Sequence, residues 1–363
     1  MHVDALKAWL ALIRAPGIGP ATATRLLDAF QTPEALLAAG PRGWRRVGLD
    51  NELHQGLAEP DTALIDGDLQ WLTDPNRSLI TREDERYPQR LREIAGAPVA
   101  LFCQGDADLL SLPQLAIVGA RSATPQGFEN ARAFAAELAR RGLVVTSGLA
   151  LGIDGAAHKG ALEADGLTIA VCATGLDRVY PASHKKLAHQ ISDKGLLISE
   201  FPPGTPGRAE HFPRRNRLIS GLSLGVLVVE AAAESGSLIT ARLASEQGRE
   251  VFAMPGSIHN PMARGCHRLI RQGAKLVESV DDILEEIAPQ LAARRETLSP
   301  APAAGSDEAN DIILRALGDE PMDFDTLLQR TERTLESLSQ SLLALELAGR
   351  VTTTAAGLYQ RLR

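Results

Sequence analysis

Six short apolar runs, QLAIV, LVVT, LTIAVC, LLISE, GVLVVE and EVFAM, follow one another between residues 114 and 254. They are rich in β-branched residues and too short for buried helices, and the stretches between them have helical spacing. In FENARAFAAELARRG, for instance, Phe128, Ala131, Ala135 and Leu138 fall on one helical face. Near-continuous apolar strands joined by helical crossovers specify a parallel sheet covered on both sides, an α/β fold.

The flanks read differently. Residues 1–77 hold helical segments such as ALKAWLALIRA and EALLAAG, broken by Gly and Pro. Among them PGIGPATATRLLDAF places Gly17 and Gly19 in a tight turn before an amphipathic helix bearing Leu26, Leu27 and Phe30. This pattern resembles a helix-hairpin-helix, whose amides can meet a DNA phosphate, and it serves equally as a packing unit. The strand–helix alternation occupies 78–288, and the Pro/Ala/Ser-rich stretch 289–309 reads as a linker. Residues 310–363 have the outline of a winged helix, three helices and a β-hairpin. Its expected recognition helix, TLESLSQSLLALELAG, carries glutamates but no Lys or Arg, which favours protein contact over reading a duplex.

No apolar run approaches the ~20 residues that span a bilayer. Asp4 and Arg14 in the first apolar stretch argue against a signal peptide. Cys103, Cys172 and Cys266 are odd in number and lack metal-ligand spacing, as expected for a reducing cytoplasm. The net charge of −7 argues against a uniformly basic nucleic-acid binder but not against a local basic patch.

Ligands of open parallel sheets bind beyond the carboxyl ends of the strands. After the first run comes GARSATPQG, with Gly119, Ala120 and Arg121 where a dinucleotide fold would place its glycine fingerprint. Arg121 sets a positive fork where a phosphate would arrive. After LVVT stand Ser147 and Gly148 in place of a ribose-binding carboxylate, so a nicotinamide cofactor fits poorly and none is expected. Lys185 and Lys186 lie in PASHKKL, and GRAEHFPRRNR brings Arg208, Arg214, Arg215 and Arg217 against one Glu210. Arg215 or Arg217 could instead be a buried partner of Glu200 or Glu230. His158, four residues after Asp154, could be half of a catalytic pair or a satisfied structural histidine. Phe212 could stack on a base or fill the core.

Taken together, GAR at 119–121, SGLALGIDGAAH at 147–158, TIAVCATGLDRVYPASHKKL at 168–187 and LLISEFPPG at 196–204 resemble the DNA processing protein A family (DprA, also called Smf). The resemblance continues through HFPRRNRLISGLS at 211–223, VVEAAAESGSLITARLA at 228–244 and VFAMPGS at 251–257. It implies an extended Rossmann-like domain flanked by a helical (SAM/helix-hairpin-helix-like) N-terminal domain and a winged-helix-like C-terminal domain. It further implies a non-enzymatic homodimer that binds and protects single-stranded DNA and hands it to the RecA recombinase during natural transformation. Carried onto this chain, Arg121 is the expected phosphate contact and Lys185 or Lys186 lines the same groove. Phe212, Arg215, Asn216 and Arg217 surround it, while Ser235, Gly236 and Ser237 form a backbone anion cradle.

Two other readings compete. Related Rossmann-like phosphoribohydrolases use a P-G-G-x-G-T loop with a catalytic glutamate, and neither ESGSLIT nor MPGSIH is that loop. A pure scaffold would bind no oligonucleotide. A G-x-x-x-x-G-K-[ST] phosphate loop is absent, so ATP-driven strand movement is not expected.

Overall fold

The protein is described from a computed structural model. It describes residues 2–298, 306–318, 321–331, 338, 341–342, 345–346, 350–354 and 358–361, at 293–311, 325 and 353 by their backbone alone. By packing, the chain divides into two compact units, Met1–Gln290 and Leu291–Arg363.

Nine strands of the first unit form one sheet: β1 (Arg77–Thr81), β2 (Ala100–Gly105), β3 (Gln114–Val118), β4 (Val144–Ser147), β5 (Thr168–Val171), β6 (Leu196–Ser199), β7 (Gly225–Val228), β8 (Glu250–Ala253) and β9 (Lys275–Leu276). Their spatial order is β1-β2-β6-β5-β4-β3-β7-β8-β9. Each of the six apolar runs supplies a strand, β3 to β8, and the pairings from β6 across to β9 are all parallel. β2 runs antiparallel to both β6 and β1. The chain winds outward from β3 one way through β4, β5 and β6, and the other way through β7, β8 and β9. The switch point therefore falls between β3 and β7, where such sheets open a crevice.

Five N-terminal helices, α1 (Val3–Arg14), α2 (Pro20–Phe30), α3 (Pro33–Arg46), α4 (Asn51–Ala58) and α5 (Thr62–Trp71), do not form a body of their own. Trp9, Leu12, Leu26, Leu36 and Trp44 share one buried cluster with Phe102, Ala170 and Leu197 of the sheet. The composition change near residue 77 thus marks a change of secondary structure inside one core. Arg14 of α1 donates to both carboxylate oxygens of Asp68 in α5, at 2.5 and 2.6 Å, and crosses to the loop after β6 with a bond to the Pro203 carbonyl at 2.9 Å.

The remaining helices are α6 (Gln89–Arg92), α7 (Pro125–Arg140), α8 (Ile153–Glu163), α9 (Lys185–Lys194), α10 (His211–Leu222), α11 (Ser237–Glu246) and α12 (Arg264–Arg271), followed by α13 (Val280–Leu298), which begins in this unit. In α7 the expected face holds for Ala131, Ala135 and Leu138, which are buried, whereas Phe128 stays 39% exposed one turn earlier. The linker reading needs a correction, because α13 carries helix through Pro289 to Leu298. The rest of that stretch, 299–305, lies outside the described residues. No described helix is long and apolar enough to cross a membrane. Cys103, Cys172 and Cys266 are free thiols.

In the second unit, α14 (Ser306–Leu317) and α15 (Phe324–Thr331) pack around Ile313, Leu314, Leu317 and Leu327. An antiparallel pair, β10 (Val351–Thr353) and β11 (Tyr359–Arg361), supplies the wing. The expected recognition helix, 334–349, falls largely outside the described residues.

Candidate nucleic-acid interface

A groove of about 680 Å³ opens at the switch point. Val118 and Gly119 at the end of β3 form one wall, α10 contributes Phe212, Arg215 and Asn216, and Ser235, Gly236 and Ser237 lead into α11. Gly119 has ordinary negative φ, and its role is close approach. A Cβ there would sit 2.6 Å from Ile153 and 2.9 Å from the Glu230 carbonyl.

Three side chains stack at the rim. The exposed Arg121 holds its guanidinium 5.4 Å from the centre of the Phe212 ring, close enough for cation–π attraction. Phe212 in turn lies 5.3 Å from Tyr180, tilted by 60°. No carboxylate pairs with Arg121 among the described residues. Phe212 is therefore a groove residue, and Tyr180, 54% exposed, joins it although sequence reasoning passed it over. An aromatic ahead of a loop proline at a strand's carboxyl end was the available signal.

The other expected contacts are sorted by their partners. Ala120 is buried with its backbone engaged, its N–H donating to the Glu230 carbonyl at 2.7 Å and its C=O accepting from Ile153. Ser147 is fully buried, and its hydroxyl donates to the Ile117 carbonyl at 2.6 Å, so it holds β4 to β3 and does not meet a ligand. The Gly148 amide donates to the Asp154 carboxylate. The Gly148 carbonyl accepts from Arg215 at 2.6 Å, and a second bond runs from the same Arg215 nitrogen to Val171 at 2.5 Å. Arg215 is thus pinned to the backbone and only 4% exposed, although it still lines the groove. A Cβ on residue 148 would come within 2.0 Å of its Nη1, which is why glycine stands there.

Arg214 and Arg217 do depart from the expected groove. Both donate to one oxygen of Glu200, at 3.0 and 2.5 Å. Glu200 is the ion-pair partner. Glu230 instead accepts from the Thr124 amide and hydroxyl at the start of α7, a carboxylate fixed at a helix N-terminus. Arg208 lies exposed, 4.0 Å from Glu210. Lys185 and Lys186 are exposed on the first turn of α9 but do not line the groove.

His158 is a structural histidine. It is fully buried with Nδ1 against the Thr168 hydroxyl at 2.7 Å, and burial pushes its pKa down to about 3, which keeps it neutral. Asp154 lines the groove floor but spends an oxygen on the amides of Gly148 and Ala150, and burial raises its pKa. No cluster of His, Cys, Asp and Glu able to hold a metal occurs among the described residues.

An open α/β sheet whose switch-point crevice is rimmed by arginine and aromatic rings, with Gly and Ser at its floor, defines a Rossmann-like protein with an anion-receptive groove. The family model described as DNA recombination-mediator protein A matches residues 78–288, the DprA winged helix domain matches 297–357, and a SAM-like helix-hairpin-helix tandem matches 10–45. The chain belongs to the DprA/Smf family. Protein Smf of Escherichia coli (strain K12) is 45% identical over 306 residues, covering 82% of this chain and 81% of that one. DNA processing protein DprA of Streptococcus pneumoniae is 50% identical over 203 residues, 56% of this chain and 72% of its own. The crystal structure of S. pneumoniae DprA superposes with a TM-score of 0.70 at 39% identity, over 77% of this chain and 97% of that one. A structure of DNA processing protein A from Helicobacter pylori, described for its single-stranded DNA binding mode, gives 0.54 at 30% identity over 59% and 96%.

Proposed function

We propose that this chain binds single-stranded DNA without sequence preference, through the switch-point groove, and carries out no chemistry on it. The observation that carries the reading is the rim stack. A guanidinium with no carboxylate partner among the described residues, 5.4 Å from Phe212, offers a phosphate contact beside a ring that can take a base. The H. pylori relative, described as binding single-stranded DNA, supports the same use of the fold. In its finer form, the protein is a homodimer that shields incoming strands and passes them to RecA during transformation, as the family resemblance implies.

Fluorescence anisotropy with a labelled oligothymidine tests the binding. Affinity should fall as salt rises, because phosphate contacts release counterions. Arg121→Ala should weaken binding on the order of tenfold at low salt, the loss of one charge-assisted contact. Unchanged affinity in the variant would show that the strand runs elsewhere.

A further inference from the structure

One wall of the groove is held only at its ends. The chain between β6 and α10 is pinned at Pro203, whose carbonyl accepts from Arg14 at 2.9 Å, and at Gly204, whose amide donates to Asp177 at 2.8 Å. The Thr205 carbonyl accepts from the Gly175 amide at 3.0 Å. The far end is fixed where His211 opens α10 and stacks on the Phe201 ring at 4.2 Å. Between these anchors run residues 206–210, all of them exposed. Among the described residues nothing accepts from the amides of Gly207, Arg208, Ala209 and Glu210. A span without buried side chains or bonded amides opens at little cost. Gly204, at φ +86°, and Gly207, where even an added Cβ would come no closer than 3.4 Å to the Thr174 methyl, give it pivots.

The charge on this span is placed for a strand. Gly207 and Ala209 line the groove, whereas Arg208 between them does not and holds its guanidinium 4.0 Å from Glu210. At 62% and 71% exposure that pair is weak. Its two halves are not equally free. Glu210 already has helical backbone angles, φ −66° and ψ −22°, at the N-cap of α10, where a carboxylate suits the positive end of the helix. Arg208 lies two residues before it, on the unbonded span, and carries a planar fork of donors suited to phosphate. A turn about Gly207 brings the cation over the groove and leaves the carboxylate behind.

We propose that residues 206–210 are a strap that closes over a single strand lying in the groove, Arg208 exchanging Glu210 for the strand, so that the strap sets how long the strand stays. This rests on the groove being the DNA site. A contact made after the strand has entered slows departure without speeding arrival. Stopped-flow anisotropy on the full chain with a labelled oligothymidine reads both rates. Arg208→Ala should raise the dissociation rate about fivefold and change the association rate by less than about twofold. Glu210→Gln should slow dissociation in the parent, and that gain should vanish in the Arg208→Ala background. Brief trypsin digestion should cut the free protein after Arg208, and saturating oligothymidine should suppress the cut on the order of tenfold. An unchanged dissociation rate in Arg208→Ala overturns the strap while leaving the binding reading intact. A loss confined to the association rate does the same, since Arg208 would then only steer the encounter. So does a Glu210→Gln gain that survives without Arg208, or a cut that is absent in the free protein or indifferent to DNA. Failure of the parent to bind oligothymidine overturns both.

Discussion

Arg121 and Arg217 occupy the same edge of the sheet, the first beside the Phe212 ring and the second in the basic stretch FPRRNR. Arg121 leaves the tip of β3 exposed, with the Phe212 ring beside it and no carboxylate paired to it among the described residues. Arg217, at 13% side-chain exposure, is bound to a Glu200 carboxylate that is itself 2% exposed and also holds Arg214. The first cation is available to a ligand. The second is structural, tying α10 to the segment after β6. A basic cluster is therefore not a binding surface until its acids have been counted in three dimensions.

The contrast breaks most visibly at the acid. Glu200→Ala leaves Arg217 buried without its counter-charge and should cost about 3–5 kcal/mol of stability in denaturant unfolding, the range for a broken buried pair. A loss below 1 kcal/mol would mean that the pair is solvated. Next in size is Gly148→Ala, whose methyl meets the Arg215 guanidinium at 2.0 Å. A destabilisation of about 1–3 kcal/mol is expected, as for overpacked interiors, read from the same unfolding curves.

His158 sharpens the comparison by pH. Its native pKa is about 3 against an ordinary 6.5, so below pH 6.5 the unfolded chain takes up a proton that the folded chain refuses. Stability from this group is intact above pH 6.5 and drains as the pH falls toward 3, by at most about 1.4 kcal/mol per pH unit. Asp154 works the other way. Its raised native pKa favours the folded state at low pH, and that contribution disappears as pH rises through the raised value. The melting temperature should therefore drop less between pH 7 and pH 5 in His158→Asn than in the parent, and equal drops would show that His158 titrates normally. The smallest effect belongs to Arg214→Ala. This arginine is 44% exposed in its pair with Glu200, so its removal should cost about 1 kcal/mol or less. Its effect on DNA affinity should also fall below that of Arg121→Ala, and the reverse order would move the groove toward α10.

Much of this was legible beforehand. The apolar runs located β3 to β8 because a strand buried on both faces leaves a continuous hydrophobic signature. β1 and β2 were missed. RSLIT and ALFCQG lie among loops and short turns, without the long helical crossover that announces a parallel strand. Of the expected site residues, Gly119, Arg121, Phe212, Arg215, Asn216, Ser235, Gly236 and Ser237 do line one groove. Ala120, Ser147, Arg214 and Arg217 are spent on internal bonds, and Gly148 lends its backbone to Asp154 and Arg215 while flanking a small recess beside Tyr180 and Phe212.

By itself, then, the order of residues determined the strand–helix alternation, the placing of glycine and serine at the strand tips, and the family. Those properties are local, written in periodicity and in the spacing of neighbours. Which cations face outward was decided only by the tertiary structure. Arg217 meets Glu200 across 17 residues and Arg215 meets Val171 across 44, and a charge is free or cancelled according to what folding brings beside it.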